Sequence, residues 1–305
     1  MNEEHSERFG ALDVGSNSVR MLVVERQDGS LRYVESSAEI TRMTQGWGTD
    51  AKGDVLPQAL ERTAQEVRKV RQRLDFWKIP EVNRVCFATE SLRGARNASG
   101  ALDVLARAAG QPLRVLSGDA EGRYGFHGAR MALPEARGVF DLGGGSLEVC
   151  TEETAVSVPL GAVRMTGQFA EDEPALRAYA EPLLAAMPRR ELAPLVGVGG
   201  TSSTVAMILE GVAVEAYTPA TVHGKKIHLE ELRTLRKRLG ALSLEERRKV
   251  RGMPGARADI LPSGVMVMEI LMENAHCQWY VHSECDLLWG VLGEHAGNDG
   301  WRAVL

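Results

Sequence analysis

One short pattern occurs twice in the chain, and no other feature limits the fold as tightly. Leu12-Asp13-Val14-Gly15-Ser16-Asn17-Ser18-Val19-Arg20 is echoed by Phe140-Asp141-Leu142-Gly143-Gly144-Gly145-Ser146-Leu147-Glu148. Both copies run apolar, Asp, apolar, Gly, two small residues, Ser, then into an apolar stretch. Each reads as a strand, a tight turn and a returning strand. The copies lie near the starts of the two halves of a 305-residue chain, which has room for two domains of roughly 100–200 residues. A duplicated fold is the simplest explanation.

The segments between the copies define the class. Strands are predicted at Ala11–Val14, Val19–Glu25, Leu31–Ser36, Val85–Ala88, Leu113–Leu116, Val139–Leu142, Leu147–Cys150, Leu195–Val198 and Tyr280–Ser283. Helices are predicted from Pro57, over Leu102–Ala109, Ala120–Met131 and Pro174–Met187, from about Ser202, at Leu229–Leu239, over Gly264–Glu273 and over Leu287–His295. Ser243-Leu244-Glu245-Glu246 is a capping box. Strands alternating with helices predict an α/β fold.

Composition narrows the possible partners. A net charge of −5 argues against bulk nucleic-acid binding, although a local basic cleft is compatible with it. The most apolar stretch, Leu261 to Met272, is interrupted by Ser263, Gly264 and Glu269 and is too short to span a bilayer. Cys86, Cys150, Cys277 and Cys285 are scattered, which fits reduced thiols in a cytoplasmic protein. His276, Cys277, His282 and Cys285 lack a zinc spacing.

The echoed turn carries chemistry. Its backbone N–H groups can converge on one anion, small residues let the chain approach closely, and Ser hydroxyls add donors. The Asp at the strand end would stand beside that anion, where a hydrated Mg²⁺ can bridge the two. Two such hairpins, one per lobe, would grip successive phosphates across a cleft. Gly199-Gly200-Thr201 joins a strand to a helix and offers a third set of free N–H groups.

These pieces stand in the order found in the actin-like ATPase superfamily. Ala88-Thr89-Glu90-Ser91-Leu92-Arg93-Gly94-Ala95-Arg96-Asn97, Leu116-Ser117-Gly118-Asp119-Ala120-Glu121-Gly122-Arg123, Pro159-Leu160-Gly161-Ala162-Val163-Arg164 and Arg257-Ala258-Asp259-Ile260 narrow the match. Together they resemble the exopolyphosphatase/guanosine pentaphosphate phosphatase (PPX/GppA) family from about Leu12 to Gly290. The resemblance implies two ribonuclease H-like lobes with an interdomain cleft, and Mg²⁺-assisted removal of the terminal phosphate of inorganic polyphosphate or pppGpp. It implies Glu121 as general base, with Arg93 neutralising the transferred group. Ser16, Asn17, Ser18, Gly144, Gly145 and Ser146 would cradle phosphates together with Gly199, Gly200 and Thr201, while Asp141 and Glu148 would hold the metal. Departures from the family pattern are Glu90 for a small Ser, Leu147 for Thr, Gly122 for Ala and Trp289 for Glu. The resemblance implies the short two-domain form, without the helical domains of the long members.

The expected lobes are residues 8–120 and 121–305, with the last helix returning to the first lobe. Exopolyphosphatase is the preferred activity, with pppGpp hydrolysis as the alternative of the same chemistry; a homodimer is compatible with both. An actin-like kinase or ATPase and a non-catalytic phosphate or nucleotide sensor are the rivals, and Glu90 is the best argument for the sensor. Arg233, Arg236, Lys237 and Arg238, with Arg247, Arg248, Lys249 and Arg251, read as solvated helix faces. A polyanionic substrate would give them a second reading, as an electrostatic funnel.

Overall fold

The computed structural model describes residues 7–45, 47, 53–170, 172–185, 187, 192–297 and 300–305. Among the described residues, twelve strands form two sheets of six. The first contains β1 (Glu7–Val14), β2 (Ser18–Gln27), β3 (Ser30–Ile40), β4 (Arg84–Ala88) and β5 (Arg114–Val115). The second contains β6 (Gly138–Leu142), β7 (Leu147–Thr151), β8 (Ala155–Val158), β9 (Leu195–Val198), β10 (Lys226–His228) and β11 (Trp279–His282). The last strand, β12 (Arg302–Val304), returns to the first sheet and pairs in parallel with β3. The orders are β12-β3-β2-β1-β4-β5 and β10-β11-β9-β6-β7-β8.

The duplication read from the sequence is present in the topology. β1-β2-β3 and β6-β7-β8 are both antiparallel meanders, and each first strand then takes a parallel partner, β4 or β9. The register places Asp13 opposite Arg20 in one copy and Asp141 opposite Glu148 in the other. The turns close alike: Gly15 N–H donates to Ser18 O at 2.9 Å, and Gly143 N–H to Ser146 O at 3.0 Å.

Each sheet is covered on both faces, as parallel pairing requires. The helices Pro57–Phe76 and Ala98–Ala109 cover one face of the first sheet, burying Val67, Leu74 and Leu105 against Leu12, Met21 and Val23. The helix Leu287–His295 covers the other face, with Leu288, Trp289 and Leu292 packed on Phe9, Leu22 and Phe87. Trp289 is thus a core side chain. In the second sheet, the helices Gly199–Glu210, Leu229–Gly240 and Leu261–Asn274 bury Val205, Leu232 and Val267 with Phe140 and Leu147. The helix Gly118–Ala132 fills the opposite face with Phe126 and Ala129.

The helices Gly118–Ala132 and Leu287–His295 also pack on each other. A Cβ at Gly128 or Gly290 would overlap the backbone of Asp286 or Tyr124. This close crossing ties Glu121, in the first turn of one helix, to the first sheet through the other. The helix Ala162–Phe169 and strands β8, β10 and β12 were not among the predicted elements. All four cysteines are free and buried. No helix among the described residues is long and apolar enough to cross a membrane.

Candidate active site

Both echoed turns open into one cleft between the sheets. It is lined by Asp13, Ser16, Asn17, Ser18, Glu121, Asp141, Gly144, Gly145, Ser146, Glu148, Gly199, Gly200 and Thr201. Every phosphate-cradling and metal-holding residue expected from the sequence therefore lies on the same cavity wall, and so does Glu121, whereas Arg93, expected to neutralise the transferred group, does not. The hairpins touch: a Cβ on Gly144 would lie 2.9 Å from Asn17 Cβ, and one on Gly145 would lie 3.0 Å from Ser16 Oγ. Only glycine permits this approach. Ser16 Oγ, Asn17 Oδ1 and Asp13 Oδ1 are buried without a hydrogen-bond partner. Uncompensated buried polar atoms are costly, so three of them at the end of one strand and in the turn that follows mark a surface shaped for a polar ligand.

The third element lies at the end of β9. Gly199 has φ +80°, a left-handed conformation, and a Cβ there would strike Asp141 Oδ1. Thr201 Oγ1 donates to Leu142 O at 2.9 Å, fastening the start of that helix to the second hairpin.

The electrostatics of the two copies differ. In the first, Arg20 donates to Asp13 Oδ2 through Nε at 2.9 Å and lies 2.7 Å from it through the second nitrogen; it also pairs with Asp286. Asp286 Oδ1 in turn accepts from Leu288 N at 2.9 Å and caps the last helix. Burial opposes the Arg20 charge, but Asp286, Asp13 and Asp141 outweigh it and raise its pKa. In the second copy a glutamate stands where the first has arginine. Burial, with Asp286, Glu148 and Asp13 nearby, pushes Asp141 up to about 7 despite Arg20. Burial likewise raises Glu148, although Ser146 and Ser157 donate to it, the latter at 2.7 Å.

Two neighbouring carboxylates whose charge is disfavoured by burial fit a divalent cation. Mg²⁺ usually takes one or two protein carboxylates and fills the rest of its octahedron with water and phosphate oxygens. Asp141 and Glu148 suit that pattern. Among the described residues no group of three or more His, Cys, Asp or Glu forms an all-protein metal cage.

Glu121 is buried beside the second hairpin and is held by Arg93, which also donates to Leu116 O at 2.6 Å and to Glu90 Oε2 at 3.1 Å. Ser117 caps the helix, accepting from Ala120 N at 3.2 Å. Arg93 is thus set behind the two glutamates and not directly on the cleft wall. Glu90 is doubly compensated, since Arg164 reaches its other oxygen at 2.9 Å.

Two cationic residues of the wall were not assigned to the site from the sequence. Arg20 was seen only as the last position of the echo, and Arg257 only as part of a motif. Arg257 packs against Gly200, and burial together with the Arg20 charge lowers its pKa to about 10. Among the described residues it has no ion-pair partner, as expected of a group facing an anion. The funnel reading fails for Arg233 and Arg236. They are held by Glu269 and Glu273 of the helix Leu261–Asn274 and by Glu173, which opens the helix Glu173–Ala185. Arg247 is buried and donates to Leu239 O at 2.7 Å.

With this geometry in hand, comparison with known proteins gives a consistent result. Residues 22–297 match the Ppx/GppA phosphatase family. The chain belongs to that family. It is 29% identical to "Exopolyphosphatase 2" of Mycobacterium tuberculosis, over 95% of this chain and 99% of that protein. It is 26% identical to a "Bifunctional 3-dehydroquinate synthase/phosphatase" of Fusobacterium nucleatum, over 94% of this chain but 46% of that one. Among solved structures, the Aquifex aeolicus Ppx/GppA family member superposes with TM-score 0.78 at 26% identity, covering 95% of this chain and 97% of that one. An exopolyphosphatase from Cytophaga hutchinsonii shares the fold, with TM-score 0.84 at 22% identity over 97% and 100% of the two chains. The Ppx/GppA chain thus has the fold expected from the sequence: two ribonuclease H-like α/β lobes of the actin-like type, flanking a cleft.

Proposed function

We propose that this chain is an exopolyphosphatase that hydrolyses the terminal phosphoanhydride of inorganic polyphosphate, with Glu121 as general base and Mg²⁺ as cofactor. The observation that carries the proposal is the contact of the two hairpins at Gly144 and Asn17 within a cleft that Glu121 also lines. Phosphoryl transfer asks a protein mainly for positioning and charge compensation. Ser16, Asn17 and Ser18 would take one phosphate, and Gly144, Gly145 and Ser146 the adjoining one. Gly199, Gly200 and Thr201 would close the third side.

Asp141 and Glu148 would hold Mg²⁺, which when bound supplies positive charge to the phosphate oxygens. Glu121 would accept a proton from the attacking water through the oxygen not occupied by Arg93. Arg93, paired with that carboxylate from behind, would hold it aimed at the water. Arg20 and Arg257 would neutralise the rest of the polyanion.

A second reading, pppGpp hydrolysis, is favoured by one feature. A recess of about 350 Å³ adjoins the cleft, sharing Arg20, Gly199, Gly200 and Arg257 with it and walled by Met207, Tyr217, Pro219 and Pro254. That mixture of apolar walls and cations suits a nucleoside attached to phosphates. Phosphate release from polyphosphates of graded length, pppGpp and ATP, each with Mg²⁺, tests both readings. Polyphosphate turnover that Glu121→Gln abolishes is the expected result. Tight binding without release by the unmodified chain would make it a sensor, and preferential turnover of ATP would make it a kinase-like ATPase.

A further inference from the structure

Among the described residues, Glu90 is the one acidic side chain of the cleft wall held by arginines of both lobes. It opens a short helix, Glu90–Arg93, at the end of β4. Its Oε2 accepts from Arg93 at 3.1 Å, and its Oε1 accepts from Arg164 at 2.9 Å across the cleft. Arg164 is nearly buried, its side chain 7% exposed, and its Nε donates to Gly145 O at 2.7 Å. The stem of Glu90 lies on the second hairpin, with its Cγ 2.7 Å from where a Gly145 Cβ would sit. A carboxylate is thus clasped by two guanidinium groups against a glycine turn, at the edge of the cleft proposed to hold phosphate.

Two arginines and a glycine turn are what a phosphate group would require at that position, because guanidinium donors match its oxygens as well as they match a carboxylate's. We infer that Glu90 occupies an anion subsite formed by Arg93, Arg164 and the Gly145 turn, and competes there with a phosphate of the substrate, so that it sets how strongly the polyanion is held. The inference rests on the phosphate-cleft reading given above. It assigns Glu90 a role in specificity, and no part in bond cleavage. With Glu90 in place, the two arginine charges are balanced by Glu90 and by Glu121, which pairs with Arg93, and an incoming phosphate must displace a carboxylate tethered to the same wall. Removing that charge would leave a cationic subsite open to one further phosphate.

A clasp that merely held the lobes together would have the opposite signature. Its loss would loosen the cleft and weaken binding, whereas loss of a competitor strengthens it. Calorimetric titration with inorganic tripolyphosphate reads the sign directly and needs no turnover. Glu90→Gln is expected to bind about tenfold more tightly than the unmodified chain, with a steeper salt dependence because one more arginine meets phosphate. The gain should disappear in Glu90→Gln/Arg164→Gln. If Glu90→Gln is poorly folded, Glu90→Ser serves as the second variant, since its side chain is too short to reach either arginine, and it carries the same expectation.

Equal or weaker binding by a folded Glu90 variant would overturn the inference. So would a gain that persists without Arg164. Phosphate release by the unmodified chain is measured alongside. Binding that changes as expected in a chain that releases no phosphate would sink the proposed activity and leave the subsite standing. Turnover by a chain whose affinity ignores Glu90 would do the reverse.

Discussion

Adding one methyl group at Gly144 tests whether the hairpins must meet. A Cβ there would lie 2.9 Å from Asn17 Cβ, 3.3 Å from Val163 Cγ2 and 3.4 Å from Asn17 N. Carbon atoms in contact prefer about 3.5–4.0 Å, so the first hairpin has to retreat by roughly 0.6–1.1 Å. Asn17 Cβ sits directly on the backbone and cannot swing aside, so the turn that presents Ser16, Asn17 and Ser18 moves with it. A misplacement of about 1 Å in a positioning group costs roughly 100-fold, or about 2.7 kcal/mol of transition-state stabilisation. Gly144→Ala is therefore expected to lower kcat/KM for tripolyphosphate about 100-fold, while overpacking costs the fold about 1–3 kcal/mol. Gly167→Ala is the control: it lies on the adjacent helix, where a Cβ would meet nothing within 4 Å. It should leave activity intact and stabilise the helix by roughly 0.5–1 kcal/mol. Phosphate release and thermal melts on the three proteins give the answer. A folded Gly144→Ala with kcat/KM within about threefold of the unmodified chain would refute the claim that one ligand spans both turns.

The other expectations concern charge. Glu121→Gln should reduce phosphate release by roughly 100- to 10,000-fold, the range of a lost general base, while retaining tripolyphosphate affinity; loss of affinity instead would make Glu121 a binding residue. Asp141 is raised from 3.8 to about 7, so the folded state holds more protons than the unfolded state across that window. Its contribution to stability is present near pH 4 and lost as pH rises through 7. Mg²⁺ should consequently raise the melting temperature more at pH 8 than at pH 5, and equal shifts at both would contradict the assignment of Asp141 to the metal. Glu269 is buried at 2% exposure and meets Arg236 at 2.7 Å and Arg177 at 3.2 Å. Glu269→Gln should destabilise the fold by about 2–3 kcal/mol, below the fully buried range because the arginines are partly solvated, with KM for tripolyphosphate unchanged. A rise in KM would restore those arginines to a role in substrate capture.

The parts of the site legible in the sequence are those with local causes. A turn that must present N–H groups needs small residues, and a strand-end carboxylate needs Asp, so the echo at Leu12–Arg20 and Phe140–Glu148 located both hairpins before any coordinates. The motif Leu116-Ser117-Gly118-Asp119-Ala120-Glu121-Gly122-Arg123, at the start of the helix predicted over Ala120–Met131, marked Glu121. The contributions of Arg20 and Arg257 were not legible, because an isolated arginine in a sequence is indistinguishable from a surface one. Their role depends on burial and, for Arg20, on carboxylates as remote as Asp286. Glu90 looked like a misplaced negative charge because Arg164, its compensating partner, lies in the other lobe. Arg233 and Arg236 looked free for the opposite reason: Glu269 and Glu273, which hold both in part, sit on a helix otherwise read as apolar. The strands β8, β10 and β12 were missed because they are short and lie at sheet edges, where little apolar alternation is needed.

The most direct measurement is the position of tripolyphosphate in crystals of Glu121→Gln grown with Mg²⁺. Adjacent phosphates should rest one on the Ser16–Ser18 turn and one on the Gly144–Ser146 turn, with the terminal group nearest residue 121. A tripolyphosphate bound to a single hairpin, or seated outside the cleft, would contradict the account.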